Sequence, residues 1–247
     1  MPSATQTLDS RFLRVGDCFA QRFSTPGTFR YALSPLPSSL AAHHDEPPRL
    51  AVVVAAGESV ADPKQHHAKD DHDRRTHAVT VSLSNGTLEA SPAILEITAG
   101  DVVVWGPDRS VTFGFRVRGR LGEQTVDSAA LHTESVFTHA FGLPGTYEWV
   151  DANGSGLHGR VEVVSPANMG VDDVERWLAT LQEGTLVHVT GHRAEPEAVQ
   201  IVLGQTVVWA VEEAPGVTIT DRTLLPDRTL LPDQSVGVSP RRGRRSR

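Results

Sequence analysis

Apolar and polar residues alternate along most of this chain in short runs, and Gly, Pro and Asn separate one run from the next. "CFAQRF", "TFRYA", "LAVVVA", "HAVTVSL", "AILEI", "DVVVW", "VTFGFRVR", "SVFTHAF", "TYEWV" and "RVEVV" read as strands, and "TLVHVT", "AVQIV", "TVVWAV" and "GVTIT" follow them. Many short strands with turn signals between them predict an all-β Greek-key sandwich. One stretch has a different period. In "GVDDVERWLATLQEG" the residues Val171, Val174, Trp177, Leu178 and Leu181 recur at helical spacing, Asp172 can cap the start with Glu175 three residues on, and Gly184 closes the end. This predicts one connecting helix over 168–184, packed on the β-structure.

The runs also repeat. "AILEITAGDVVVWGPDRSVTF" is echoed by "AVQIVLGQTVVWAVEEAPGVTI", each with a Gly turn and then a strand that reaches a Trp (Trp105, Trp209). "CFAQRFSTPGTFRYA" is echoed by "FTHAFGLPGTYEWV", and "PPRLAVVV" by "HGRVEVV". With the first pattern named the front half and the second the back half, the chain reads back, front, back, front. The inner two halves, 77–164, are expected to close one complete unit. The orphaned outer halves, 8–56 and 185–221, are then expected to combine as a second, discontinuous unit. The helix and a polar linker at 57–76 would be the crossings between units. Residues 222–247, with "DRTLLP" repeated at Asp221 and Asp227 and a tail "RRGRRSR", read as an extended arm and a basic end.

The front half followed by "PGTYEW" and "GLHGRVEVV" resembles the cupredoxin family, over 77–164 and more weakly over 8–56 and 185–221. The resemblance implies two cupredoxin-like units. It also places the copper ligands. The cysteine would fall at Val150, the second histidine at Asn153, the axial methionine at Leu157 and the first histidine at Thr112 or Phe113. In the outer halves Ala32 takes the cysteine place and Val217 lies near the first histidine. A blue-copper site needs a thiolate, two imidazoles and a weak thioether. None of these residues supplies one, so no cofactor is expected and the frame reads as kept for its shape. His158, beside the methionine place, reads as a surface or second-layer histidine.

Composition narrows the function further. The 247 residues carry a net charge of −7, and five of the 23 basic residues lie in the last seven positions; without them 18 basic face 30 acidic residues, or −12. An acidic body disfavours nucleic acid as a partner, except through the Arg-rich tail. No apolar run is long enough for a membrane span, and no signal peptide opens the chain, so a cytoplasmic location is expected. The single cysteine, Cys18, excludes a disulfide framework and reads as a small buried hydrophobe. "GSGLHG" at 154–159 has the spacing of a dinucleotide loop, but a strand and not a helix follows it. The linker "KQHHAKDDHDRRTH" offers His66, His67, His72 and His77 among aspartates, the weak candidates for metal ligands; His43 and His44 lie in a second polar loop. No nucleophile elbow or phosphate loop is present. The reading is a non-catalytic, copper-free accessory or structural subunit whose partner is another protein or a second copy. The alternatives are metal handling by the histidine linker, or an enzyme with a site between the two β-units.

Overall fold

A computed structural model of the chain describes residues 7–36, 50–57, 75–165 and 171–225. Its strands are β1 (Asp17–Arg22), β2 (Gly27–Leu36), β3 (Leu50–Ala55), β4 (Thr76–Ser84), β5 (Thr87–Ser91), β6 (Ile94–Thr98), β7 (Val102–Pro107), β8 (Gly114–Leu121) and β9 (Gln124–Asp127). They continue with β10 (Leu131–His132), β11 (Ser135–Ala140), β12 (Gly145–Val150) and β13 (His158–Val164). After the helix α1 (Val171–Leu181) come β14 (Thr185–Thr190), β15 (Ala194–Glu195), β16 (Ala198–Val202), β17 (Thr206–Glu213), β18 (Pro215–Val217) and β19 (Thr220–Asp221). The chain is all-β, as its alternating pattern predicts.

One eight-stranded sheet, in the order β15-β14-β17-β11-β1-β7-β4-β5, forms a continuous layer. A five-stranded sheet, β6-β3-β2-β8-β9, and a four-stranded sheet, β16-β13-β12-β19, form the opposing layer. Tryptophans join the layers. Trp105 on β7 meets Phe29 and Tyr31 on β2 edge-on, at 6.2 and 5.6 Å between ring centroids, and Trp209 on β17 meets Trp149 on β12 at 6.3 Å. All are fully buried or nearly so. The result is a β-sandwich.

The two ends of the large sheet mirror each other about the antiparallel pair β1–β11, in which Phe19 stands opposite Phe137. Phe19 stacks on Trp105 at 5.6 Å and 25°, and Phe137 stacks on Trp209 at 5.6 Å and 27°. The β3–β6 pairing of Val54 with Ile97 has its counterpart in the β13–β16 pairing of Val163 with Ile201. Each half also has a glycine turn before its tryptophan strand. Gly100 and Gly204 sit at φ +104° and +90°, which a side chain rarely tolerates, and they donate to Phe23 and Phe141 carbonyls at 2.8 and 2.7 Å. The repeat seen in the sequence is therefore a pseudo-two-fold in space.

The strand pairing differs from the sequence expectation. Residues 77–164 do not close on themselves, and 8–56 does not pair with 185–221 as a sheet. Strands β1, β2 and β3 pair with β7, β8 and β6, whereas β11, β12 and β13 pair with β17, β19 and β16. Each back half closes with the front half that follows it. Among the described residues, backbone pairing between 8–56 and 185–221 is the Asp9–Thr220 bridge with its flanking hydrogen bonds. The physical reason is chain connection. From β3 to β4, and from β13 to β14, the chain crosses from one layer to the other within a half, so the linker and α1 are crossings between layers.

Helix α1 forms where the spacing predicts it, but its apolar stripe is split. Trp177 donates its indole N–H to the Leu203 carbonyl at 3.0 Å, and Leu181 lies over Gly204, against the β16–β17 turn. Val174 and Leu178 remain exposed. The side chains of Val171 and Asp172 lie outside the described residues, as do the linker histidines His66, His67 and His72, the loop histidines His43 and His44, and the arm beyond residue 225.

Candidate functional site

Three places collect polar side chains, and the most buried is the joint between the halves. Strands β1 and β11 direct residues 17, 19 and 21 and residues 135, 137 and 139 into the core, because alternate residues of a strand share one face. Either side of the Phe19–Phe137 pair, two polar pairs span the joint. The Asp17 carboxylate lies 2.5 Å from His139 Nδ1 and accepts from the Arg14 amide at 2.8 Å. The Ser135 hydroxyl donates to Gln21 Oε1 at 2.7 Å. The two-fold exchanges these pairs. All four residues are at most 4% exposed, so each would be costly without its partner. Burial pushes the Asp17 carboxyl above its ordinary range, against the bonds from His139 and the Arg14 amide. An oriented imidazole is useful to catalysis when a substrate can reach it. Here Phe141 packs edge-on against the His139 ring at 4.6 Å, and the joint is filled by side chains. The pairs fix the register in which the halves meet. Sequence reasoning passed over His139; its only signal was parity, which places it on the apolar face with Phe137 and Phe141.

The second place is the end of the second half, where the loop 150–157 lies against 215–220. Leu157 and Val217 are buried, Val150 is half-buried and Asn153 is exposed. Asp151 organises the loop. Its carboxylate accepts from the Thr218 amide and hydroxyl, both at 2.9 Å, and from the Asn153 and Ser155 amides, both at 3.1 Å. Burial alone would raise the Asp151 carboxyl, but these bonds outweigh it and hold it below the ordinary carboxylate range. The Asn153 side chain donates to the Gly216 carbonyl at 3.1 Å. Val217, and neither Thr112 nor Phe113, therefore borders this loop. Thr112 and Phe113 belong to the first half, on the approach to β8, whose strand pairs with β2 and so with Ala32. Ala32 itself is exposed, opposite Arg118. His158 is exposed and bonds to the Gly156 carbonyl and to Glu197.

The third place is a shallow cleft of about 380 Å³ lined by Arg75, His77, Glu96, Thr98 and Asp101, together with Ala55 and Ile97. His77 Nε2 lies 2.9 Å from Asp101, which also accepts from the Arg75 and Thr98 amides. Those bonds overcome burial and lower the Asp101 carboxyl. Of the four candidate metal ligands only His77 is described, and no group of three or more His, Cys, Asp or Glu among the described residues is arranged to hold a metal ion. Cys18 is half-buried, and burial pushes its thiol up, away from the reactive thiolate. On the outer face of the five-stranded sheet Arg30 stands opposite Arg120, beside Arg116 and Arg118; Asp127 pairs with the latter two and Glu123 approaches Arg120. No helix among the described residues is long and apolar enough to cross a membrane.

Comparison of the chain with protein-family models, with curated proteins and with solved structures finds no match.

Proposed function

We propose that this protein is a copper-free, cupredoxin-like scaffold that works through protein–protein contacts and catalyses no reaction. The observation that carries the reading is the loop 150–157 against 215–220. At the places where the family resemblance puts a thiolate and a thioether stand Val150 and Leu157, with Val217 beside them, and Leu157 and Val217 are buried. Hydrocarbon there leaves no buried polar ligand unpaired. The polar groups nearby are occupied with one another: Asn153 bonds to Gly216, and Asp151 closes the loop through Thr218. Such an end is built for rigidity. The first half supports the same reading, with Ala32, Thr112 and Phe113 at its ligand places.

The test is a Cu(II) titration of untagged protein followed by visible absorption. A copper–thiolate site gives an intense charge-transfer band. The expected result is no such band; a band abolished by substituting Val150, Asn153 or Leu157 would refute the reading. A second reading is metal handling through His66, His67, His72 and His77, of which the described His77 lies 2.9 Å from Asp101. It requires stoichiometric Zn(II) or Ni(II) binding that His77→Ala weakens.

A further inference from the structure

We infer that the outer face of the eight-stranded sheet is the surface on which a second copy of this chain docks. Across five adjacent strands the outward residues Ala78, Val104, Ala20, Val136 and Ala210 stand in register. The neighbouring row runs through Thr80, Gly106, Cys18 and Thr138 to Val208 and Leu186, the last 45% exposed. Solvated sheet faces alternate apolar-in with polar-out. Some strands of the other sheets follow that rule: β13 turns His158, Arg160 and Glu162 outward, and β8 turns Arg116, Arg118 and Arg120 outward, whereas β3 turns Val53 outward. The central strands of the large sheet do not. In β7 "VVVWGP" both faces are apolar, the composition of a strand covered on both sides, and β17 "TVVWAVEE" turns Val208 and Ala210 outward between Thr206 and Glu212. The core covers the inner face. The helix α1 packs on β16, in the opposite layer.

Three observations commit the outer face to a second copy. Charge is confined to its margins: His188 is paired with Glu212, Arg22 stands at a strand end, and Glu89 and Glu195 lie on the edge strands. A neutral centre is what allows two chains of net charge −7 to meet without repulsion. The face also carries the pseudo-two-fold of the fold, so that Val104 and Val208 occupy equivalent places beside Trp105 and Trp209. An isologous contact sets this one face against itself across a two-fold axis between the copies. Its size is sufficient. Eight strands about 4.8 Å apart and about 17–20 Å long present roughly 650–750 Å², close to the roughly 800 Å² that each partner buries in a stable complex.

The inference deepens the scaffold reading by naming its partner. Sedimentation of the full chain from micromolar to submillimolar concentration tests it. A dimer of about 53 kDa, twice the 26.6 kDa chain, is expected. Val104→Lys and Val208→Lys, at half-exposed positions, are expected to give folded monomers by circular dichroism. Cys18 lies on the same face, so a thiol reagent should label it several-fold more slowly in concentrated than in dilute wild-type protein, a readout that needs no variant. A wild-type monomer throughout the range, a dimer that survives both substitutions, or Cys18 labelling independent of concentration would overturn the inference. A monomer that captures a different protein would overturn it too. None of these results touches the copper titration, which judges the scaffold reading separately.

Discussion

Replacing Phe29 by alanine probes which strands belong together. Phe29 is fully buried on β2, which among the described strands pairs with β3 and β8 and with no strand of the second half. Its ring touches Phe23 at 5.2 Å, stacks on Tyr31 at 5.4 Å and meets Trp105 edge-on at 6.2 Å. Truncating a buried Phe to Ala costs about 3–5 kcal/mol in lost burial and residual cavity. Three aromatic neighbours place this site toward the upper part of that range. For a chain of this size each kcal/mol lowers Tm by about 2–4 °C, so a fall of about 6–20 °C is expected in a thermal melt. Hydrogen exchange supplies the decisive pattern, since local opening reports the unit that shares the damaged core. Amides of β3, β6 and β8 should lose protection while those of β13, β16 and β17 keep it. Trp149→Ala, which removes the ring facing Trp209, should reverse the pattern. If Phe29→Ala instead deprotects β14–β19 as much as β3, β6 and β8, the pairing of each back half with the following front half is wrong.

Two further predictions concern buried polar groups. Ser135→Ala strands the buried Gln21 carbonyl and should cost about 1–3 kcal/mol, whereas pairing it with Gln21→Leu should recover part of the loss, because removing both partners is far less costly than removing one; equal melts for the single and double variants would count against the bridge. Because the Asp151 carboxyl is held below its ordinary value, its stabilisation is present above the unfolded carboxylate pKa of about 3.9 and is lost as pH falls through the lower folded pKa. Asp151→Asn should therefore flatten the acid limb of a stability-versus-pH curve, and an unchanged limb would show that the Thr218 and Ser155 bonds do not stabilise the charge.

By itself the sequence determined the local structure. Period-two alternation placed most of the strands, though not β5, β9, β10 or β15, Gly100 and Gly204 marked turns, helical spacing located α1, and the matching "VVVW" and "VVWAV" runs showed that Trp105 and Trp209 are equivalents. These features are legible because each depends on residues close in the chain. The candidate site was legible only in its negative part: Val150 and Leu157 are hydrocarbon wherever they sit, but the choice between Thr112, Phe113 and Val217 as their neighbour was not local. Alternation says which face of a strand is buried and is silent on which strand lies beside it. In a chain with two near-equivalent front halves and two near-equivalent back halves, either pairing satisfies the same pattern. The tertiary structure decided it through contacts between residues far apart in sequence: Phe19 on Trp105, Phe137 on Trp209, and across the joint Asp17 with His139 and Gln21 with Ser135. It also split the stripe of α1, since a helix crossing between layers meets the sheet along one edge and half-buries Trp177 and Leu181 while Val174 and Leu178 stay exposed. The β3–β4 and β13–β14 connections, each crossing between layers within one half, selected one of two arrangements that the pattern of the chain leaves equal.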